Sequence, residues 1–333
     1  MIKKRANVRD VAQAAGVSVA TVSRVMNNTA GVSARTLARV SAAVEALNFV
    51  PRPAARAINS GRTHLVGALV PTLDHAIFSR FLNALETELT LHGLSLVVAT
   101  TDNDPERELA RAQGLLDLGA EGLIVSGVTR APGFEGLRAR HGVPVVATST
   151  FQPDAEVPTI GYDNRAAARL ALDHLWSLGH RRIAVLSGPV AGNDRTHARV
   201  SALRAAAGEG LILSEVSLSV AAAAEAMSDL WAAHPHITAL LCLSDVLAQG
   251  ALFRCQAMGV AVPGALSIIG IDDLPSSAST TPPLTSVHLP VGRMGQIAGQ
   301  RLARWVEQEE PTVPEQLSAH LIVRQSTGPF GGV

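Results

Sequence analysis

Apolar residues in the first fifty positions recur three and four residues apart, the spacing that places them on one face of an α-helix. The stretch NVRDVAQAAGVSVATVSRVMNN predicts two short helices separated by Gly16, where a left-handed helix end costs least. Ser18 stands at the N-cap position of the second helix, near Val19–Met26. A third helix is predicted in SARTLARVSAAVEALNF. Its apolar stripe, which we expect in a small core, is Leu37, Val40, Val44 and Leu47.

From Leu65 onward, short apolar runs alternate with stretches of helical periodicity. The runs are LVGALVP, LSLVVAT, GLIVSG, VPVVATST, RRIAVLSG, ALLCLSD, LSIIGID and LTSVHLP. Alternation of this kind predicts parallel sheets with helices on both faces. No run of about 18 apolar residues occurs, so the sequence predicts no membrane span. The basic N-terminus is not followed by an apolar signal region, so we expect a cytoplasmic protein.

The segment VPRPAARAINSGRTH at 50–64 interrupts both patterns. Pro51 and Pro53 end the preceding helix and allow a new one to begin. The following PAARAI is predicted as a short helix with no core of its own. A plain linker between domains is the alternative interpretation of this segment.

The charge of the chain is divided unequally, although the net charge of the 333 residues is zero. Residues 1–62 contain ten basic and two acidic side chains, whereas the remainder contains 18 basic and 26 acidic ones. A basic head on an acidic body indicates that the head binds a polyanion. An uneven solvated surface would give the same distribution, so charge alone does not decide between the two.

Two helices joined by a tight glycine turn form the arrangement that places a second helix in the major groove of DNA. In the second helix, Val22 and Val25 are expected to face inward and the remaining side chains to lie outside. Such a motif occurs in many families of DNA-binding proteins, so its neighbours in the chain must identify the class.

The outward-facing side chains of the second helix are more typical of a helix that contacts DNA than of a helix exposed only to water. Arg24 can donate two hydrogen bonds to a guanine edge, and Val19 and Ala20 can contact a thymine methyl group. Thr21 and Ser23 carry short hydroxyl donors that suit phosphates. We therefore expect these five residues to contact DNA.

Several kinds of chemistry find no support in the sequence. Cys242 and Cys255 lack metal-type spacing, so both are predicted to be reduced and buried. There is no dinucleotide fingerprint, phosphate loop or nucleophile elbow, and LSGPVAGND lacks the required spacing. The 11 histidines are scattered, and HPH at 234–236 is interpreted as a surface turn. We expect no enzymatic activity, metal or cofactor, although an enzyme on a doubly wound sheet is kept as an alternative.

Long segments of the chain resemble one family in order. NVRDVAQAAGVSVATVSRVMNN, VSARTLARVSAAVEALNFVP and ARAINSGRTHLVGALVP resemble the N-terminus of LacI/GalR-family bacterial transcription regulators. TIGYDNRAAARLALDHLWSLGHRRIAVLSGP, ALLCLSDVLAQGAL, VPGALSIIGIDD and PPLTSVHLPVGRMGQIAGQRL resemble the effector domain of that family, which is related to periplasmic sugar-binding proteins. The resemblance covers essentially the whole chain.

The resemblance implies an α/β protein with a three-helix helix-turn-helix domain and a two-lobed effector domain built on parallel sheets. The expected parts are the DNA-binding domain at 1–50, a hinge helix or linker at 51–62 and an effector-binding and dimerisation domain at 63–333. Lobe one is expected to contain 63–161 and 291–318, and lobe two 162–290 and 319–327. The three crossings between lobes are expected near Tyr162, Pro290 and Ser318.

The resemblance also implies that two hinge helices of a dimer pack in the minor groove and insert an apolar side chain between base pairs. By position this side chain is Ile58, with Ala55 beside it. The family usually has Leu here. A β-branched wedge is stiffer, but the apolar insertion is retained.

In the cleft between lobes, the resemblance implies that Arg199 in HARVSAL binds the effector and that Asp272 in GIDD accepts ligand hydroxyls. Arg195 precedes Arg199 by one helical turn on the same face. Two arginines so placed could hold a carboxylate or a phosphate.

Four further residues complete the expected effector site. Asp163 and Asp245 lie at strand ends, where clefts form in such sheets, and capping of the following helices is the alternative role for both. Ser244 stands where several family members carry Asn, and Phe78 is expected to cover one face of the ligand.

The sequence therefore predicts a homodimeric, sequence-specific DNA-binding regulator, usually a repressor, of a carbohydrate or sugar-acid operon. GNDRTHARVSAL, FRCQAMGVAVP and GRMGQIAGQRL look most like the gluconate-operon repressors of the family, so we expect a sugar acid such as gluconate as effector. The alternative class is a solute-binding protein for sugar transport, which would need export and no basic head.

Overall fold

The computed structural model describes residues 6–26, 32–49, 62–208 and 211–331. The chain divides into two compact units, which we call the head (residues 1–63) and the body (residues 64–333). Ala55 and Ile58, the expected minor-groove contacts, lie outside the described residues.

The described residues of the head form three helices: α1 (Val8–Ala15), α2 (Val19–Met26) and α3 (Ala34–Ala46). Helix α1 begins with a capping box, in which the Asn7 side chain accepts from the Asp10 amide and the Asp10 carboxylate accepts from the Asn7 amide. It ends at Gly16, whose φ of 60° lies in the left-handed region, as predicted. The Thr21 amide donates to Ser18 Oγ over 3.1 Å, which confirms Ser18 as the cap of α2.

The core of the head is small and apolar. Its buried members are Val11, Ala12, Ala15, Val22, Val40 and Ala43. Leu37 is 46 % exposed, so the prediction that it belongs to this core is wrong. Helix α3 presents Val40 and Ala43 to the core, and Leu37 lies one turn before this contact. Arg39 of α3 donates to the carbonyl oxygens of Ala15 and Gly16, which stabilises the turn between α1 and α2.

The body alternates strands and helices, which confirms the prediction from the apolar runs. Its helices are α4 (Ala76–Leu91), α5 (Pro105–Asp117), α6 (Phe134–His141), α7 (Asn164–Ser177), α8 (Asp194–Ala207), α9 (Val220–Ala233), α10 (Asp245–Met258) and α11 (Val291–Gln308). Its strands are β1 (Leu65–Val70), β2 (Ser95–Thr100), β3 (Ala120–Ser126), β4 (Val145–Thr148), β5 (Thr159–Gly161), β6 (Ile183–Ser187), β7 (Ile212–Glu215), β8 (Ala239–Cys242), β9 (Ser267–Asp272), β10 (Thr285–His288), β11 (Glu315–Gln316) and β12 (His320–Ile322).

The strands form two six-stranded sheets. The first has the order β11-β5-β4-β3-β1-β2 and is parallel throughout. The second has the order β12-β10-β9-β8-β6-β7, and only its β10–β12 pair is antiparallel. The chain passes between the sheets after β5, after β10 and after β11. We call the part built on the first sheet lobe one and the part built on the second sheet lobe two.

Helices bury the apolar strands of each lobe. In lobe one, α11 packs on α4 at Gly295, where a Cβ would lie 2.5 Å from the Phe81 carbonyl oxygen, so only glycine permits this approach.

In lobe two, Cys242 and Cys255 are buried and free, as predicted. Burial raises the pKa of the Cys255 thiol to about 11. Among the described residues, no helix is long and apolar enough to cross a membrane.

Candidate functional site

A cavity of about 320 Å³ lies between the two lobes of the body. Its walls include residues at or just beyond the carboxyl ends of strands in both sheets, namely Pro71, Asn103, Ser149, Tyr162, Gly188, Ser244 and Asp272. Ligands of open α/β sheets bind outside the carboxyl ends of the strands. The cavity also has an apolar wall, which includes Phe78, Phe81, Val291 and Met294.

Arg199 of α8 is held rigidly at the floor of the cavity and is only 7 % exposed. Its Nε donates to Asn164 Oδ1 over 3.0 Å, and its Nη1 donates to the Leu243 carbonyl over 2.7 Å. Asn164 in turn donates through Nδ2 to the Ser149 carbonyl over 2.9 Å. Two residues of lobe two therefore fix the guanidinium, and Asn164 links it to lobe one. Nη2 is left as the nitrogen without a described hydrogen bond of its own.

Asp272 lies opposite this cation and is 5 % exposed. Ser244 Oγ donates to Asp272 Oδ2 over 2.9 Å. Burial raises the pKa of the Asp272 carboxyl to about 7, although the Arg199 charge partly offsets this effect. The backbone of Asp272 has a φ of 131°, a strained value at the end of β9, and such strain is found most often at functional sites.

Arg195, one turn before Arg199, also lines the cavity, but its guanidinium already has partners in both lobes. Its Nη1 donates to Asp194 Oδ1 over 3.0 Å, and its Nη2 donates to Asn103 Oδ1 over 2.6 Å. Phe78 also lines the cavity and stacks beside His75, with ring centroids 6.5 Å apart.

The structure brings five of the seven expected effector residues to the cavity: Phe78, Arg195, Arg199, Ser244 and Asp272. It places Asp163 and Asp245 elsewhere. Asp163 caps α7 by accepting from the Arg165 amide over 2.8 Å and the Ala166 amide over 3.1 Å. This is the capping role that the sequence left open as an alternative.

Asp245 is fully buried behind the cavity wall. Its carboxylate accepts hydrogen bonds from the Ser277 hydroxyl over 2.6 Å, the Ser286 hydroxyl over 2.6 Å and the Leu274 amide over 2.9 Å. These donors hold the loop after β9 in place, so Asp245 shapes the wall that carries Asp272. Burial raises the pKa of Asp245, while the same donors lower it.

Sequence reasoning missed Asn103, Tyr162 and Asn164 as residues of the site. Tyr162 and Asn164 flank Asp163 in the segment GYDN. The sequence therefore indicates this segment correctly, but it favours Asp163, which caps α7. Asn103 follows β2 with a φ of 57° and meets Arg195 from a position 92 residues earlier in the chain. No local pattern in the sequence reports such a contact.

The second candidate surface lies on α2 of the head. Val19 is 42 % exposed, Ala20 and Arg24 are exposed, and Val22 is buried, as expected for a helix with one outer face. Thr21 and Ser23 are half-buried. The Thr21 hydroxyl lies 2.8 Å from Ser18 Oγ, so it takes part in capping α2. Among the described residues, no cluster of His, Cys, Asp or Glu could hold a metal ion.

Two parts of the chain match known protein families. Residues 7–52 match the bacterial regulatory proteins of the lacI family, and residues 172–327 match the periplasmic binding protein-like domain. The chain is 37 % identical over 308 residues to the HTH-type transcriptional regulator MalR of Streptomyces coelicolor, covering 88 % of each protein. It is 30 % identical over 317 residues to the HTH-type transcriptional regulator GntR of Escherichia coli, covering 94 % of this chain and 95 % of that protein.

A solved structure of the lac repressor dimer bound to operator and the anti-inducer ONPF is similar along the whole chain. Its TM-score is 0.86 at 26 % identity, and the match covers 98 % of this chain and 100 % of that one. The fold of the head and of the two-sheet body is thus shared with a solved DNA-bound repressor. The chain belongs to the LacI family of bacterial transcription regulators.

Proposed function

We propose that this protein is a homodimeric repressor of a carbohydrate or sugar-acid operon, and that a small molecule in the interlobe cavity controls its affinity for operator DNA. The observation that carries the proposal is the presence, in one chain, of an outward-facing α2 and of a cavity with a fixed cation and carboxyl. A DNA-binding role would place the protein in the cytoplasm.

In this proposal α2 lies in the major groove of the operator. Arg24 donates to a guanine edge, while Val19 and Ala20 contact thymine methyl groups. Thr21 and Ser23 bind phosphates near the helix. Two heads of a dimer would read a pseudo-palindrome with half-sites about one helical turn apart. Ala55 and Ile58 would contact the minor groove between the half-sites, as the family resemblance implies.

The proposed effector is a sugar acid such as gluconate. A cavity of about 320 Å³ is at the small end of ligand pockets, which suits a molecule of six carbons. Arg199, with Arg195 beside it, would bind the carboxylate, and Asp272 with Ser244 would bind hydroxyls. Phe78 would cover the apolar face of the carbon chain. The segments that resemble the gluconate-operon repressors of the family support this ligand class.

Calorimetric titration with gluconate tests the ligand class. We expect Arg199→Lys to weaken gluconate binding at least tenfold. The planar guanidinium donates to Asn164 and Leu243 and would also bind the ligand, and an ammonium cannot make all of these contacts. Arg204→Lys is the matched control, because Arg204 is exposed on the same helix. If the wild-type protein binds glucose and not gluconate, the effector is a neutral sugar and the proposed acid is wrong.

A gel shift with the DNA upstream of the protein's own gene tests the regulatory function. Saturating gluconate should change the operator dissociation constant about 5- to 150-fold, the usual range of coupling between two sites. An operator affinity that no sugar or sugar acid changes would contradict control from the cavity.

A further inference from the structure

The two lobes touch at one side of the cavity through the start of α8. Asp194 Oδ2 accepts from the Val128 amide and, over 3.2 Å, from the Thr129 amide, both in the loop that follows β3 of lobe one. Next to it, Arg195 Nη2 donates to Asn103 Oδ1 of lobe one over 2.6 Å. Consecutive residues of lobe two therefore bind two separate loops of lobe one.

These contacts are also joined to each other and to the cavity. Asp194 Oδ1 accepts from Arg195 Nη1 over 3.0 Å, so one carboxylate holds the lobe-one loop with one oxygen and the arginine with the other. Arg195 lines the cavity. A molecule in the cavity that contacts Arg195 thus meets a side chain whose position depends on the contact between lobes.

Two glycines make this close approach possible. A Cβ at Gly127 of lobe one would lie 2.5 and 2.6 Å from the two carboxylate oxygens of Asp194 and closer still to Arg195. A Cβ at Gly192 of lobe two would lie 2.6 Å from the Asn103 carbonyl oxygen. Real Cβ atoms do not approach other atoms so closely, and the Asn103 carbonyl cannot rotate away as a side chain could.

We propose that Asp194 and Arg195 form an interlobe latch: while the lobes are closed, Asp194 binds the Val128 and Thr129 amides and Arg195 binds Asn103, and Asp194 acts as a positioning residue that orients Arg195 in the cavity. The latch rests on the proposed function, since its purpose is to couple effector binding to lobe closure. An effector that binds Arg195 stabilises the arginine in the closed position. The linkage is reciprocal, so closure strengthens effector binding by the same factor.

Hydrogen exchange of the Val128 and Thr129 amides tests the latch without any ligand. Both amides donate to Asp194, so they exchange slowly when the latch is closed. We expect Asp194→Ala and Gly192→Ala each to speed their exchange at least tenfold in the full chain. Asp194→Ala removes the acceptor, whereas Gly192→Ala places a methyl group against lobe one and leaves the acceptor present.

Two control variants separate this effect from general strain. Gly93 has a φ of 68°, close to the 71° of Gly192, but a Cβ there meets nothing within 4 Å. Gly93→Ala therefore carries the same backbone cost and should leave both amides protected. Asp229→Ala removes a carboxylate from the exposed face of α9 and should also behave as wild type. Equal exchange in the wild type, Asp194→Ala and Gly192→Ala would overturn the latch.

Operator binding of the same variants tests the coupling, with gluconate as the probe. The ratio of operator dissociation constants with and without gluconate should fall toward one in Asp194→Ala and Gly192→Ala and stay at the wild-type value in the controls. A full wild-type ratio in both latch variants would overturn the proposal. If wild type itself does not respond to gluconate, the proposed ligand is wrong, and the exchange measurement still decides the latch.

Discussion

Glu108 of α5 gives the sharpest test of the electrostatics at the lobe interface. The residue is only 5 % exposed, and its Oε1 lies 3.4 Å from Arg130 Nε without a hydrogen bond in the described structure. Burial raises the pKa of the Glu108 carboxyl from 4.5 to about 7. The charges of Arg130 and Arg195 lower the pKa in part, and that of Asp194 raises it further.

The sign of the effect on stability follows from proton binding. Between pH 4.5 and 7 the native carboxyl keeps a proton that the unfolded chain has released, so the free energy of unfolding falls as the pH rises. Glutamine has the same shape and does not titrate. A difference of about 2.5 pKa units corresponds to roughly 3 kcal/mol. As the pH rises from 4.5 to 7, the free energy of unfolding of Glu108→Gln should therefore increase relative to that of wild type by up to about 3 kcal/mol.

Urea unfolding at several pH values from 4.5 to 8 measures this difference. The three tryptophans, Trp176, Trp231 and Trp305, all lie in the body, so their fluorescence reports its unfolding. Glu106→Gln is the matched control, because Glu106 is exposed on the same helix. If wild type and Glu108→Gln lose stability in parallel as the pH rises, the burial argument for this carboxyl is refuted.

Two further substitutions test the head. Arg24→Ala should cost about 1–3 kcal/mol in operator binding and relax the preference at one base pair, whereas Arg35→Ala on α3 should leave that preference unchanged; binding to operator variants measures both. Gly16→Ala should destabilise the head by about 1 kcal/mol or more, because a residue with a Cβ is strained at a φ of 60° and this Cβ would lie 2.6 Å from Arg39 Nη2. Calorimetric melting measures this difference, and an unchanged melting temperature of the head would contradict the reasoning.

The local features of the fold could be predicted from the sequence because they depend on neighbours in the chain. The end of α1 at Gly16 and the cap at Ser18 follow from backbone freedom and from a side chain that meets the next turn. The alternation of apolar runs with helical stretches likewise predicts parallel sheets, because buried strands need helices to cover them. The prediction that Leu37 is buried is wrong because periodicity identifies the face of a helix but not where the contact along that face ends.

The candidate site was predictable only as far as strand ends indicate a cleft. Asp163 and Asp245 follow strands and Asp272 ends one, yet only Asp272 lines the cavity. The donors that surround Asp245 come from Ser277 and Ser286, more than thirty residues away, and no local pattern reports them. The same is true of Asn103, which turns Arg195 from a free ligand contact into part of an interlobe contact.

The most direct test of the account is selection of duplexes from a random DNA library by the purified full chain. The account predicts enrichment of one sequence with two symmetric half-sites about one helical turn apart, bound at least a thousandfold more tightly than random duplex at physiological salt. A selected pool with no preferred sequence, with or without gluconate and glucose present, would contradict the claim that this protein reads DNA.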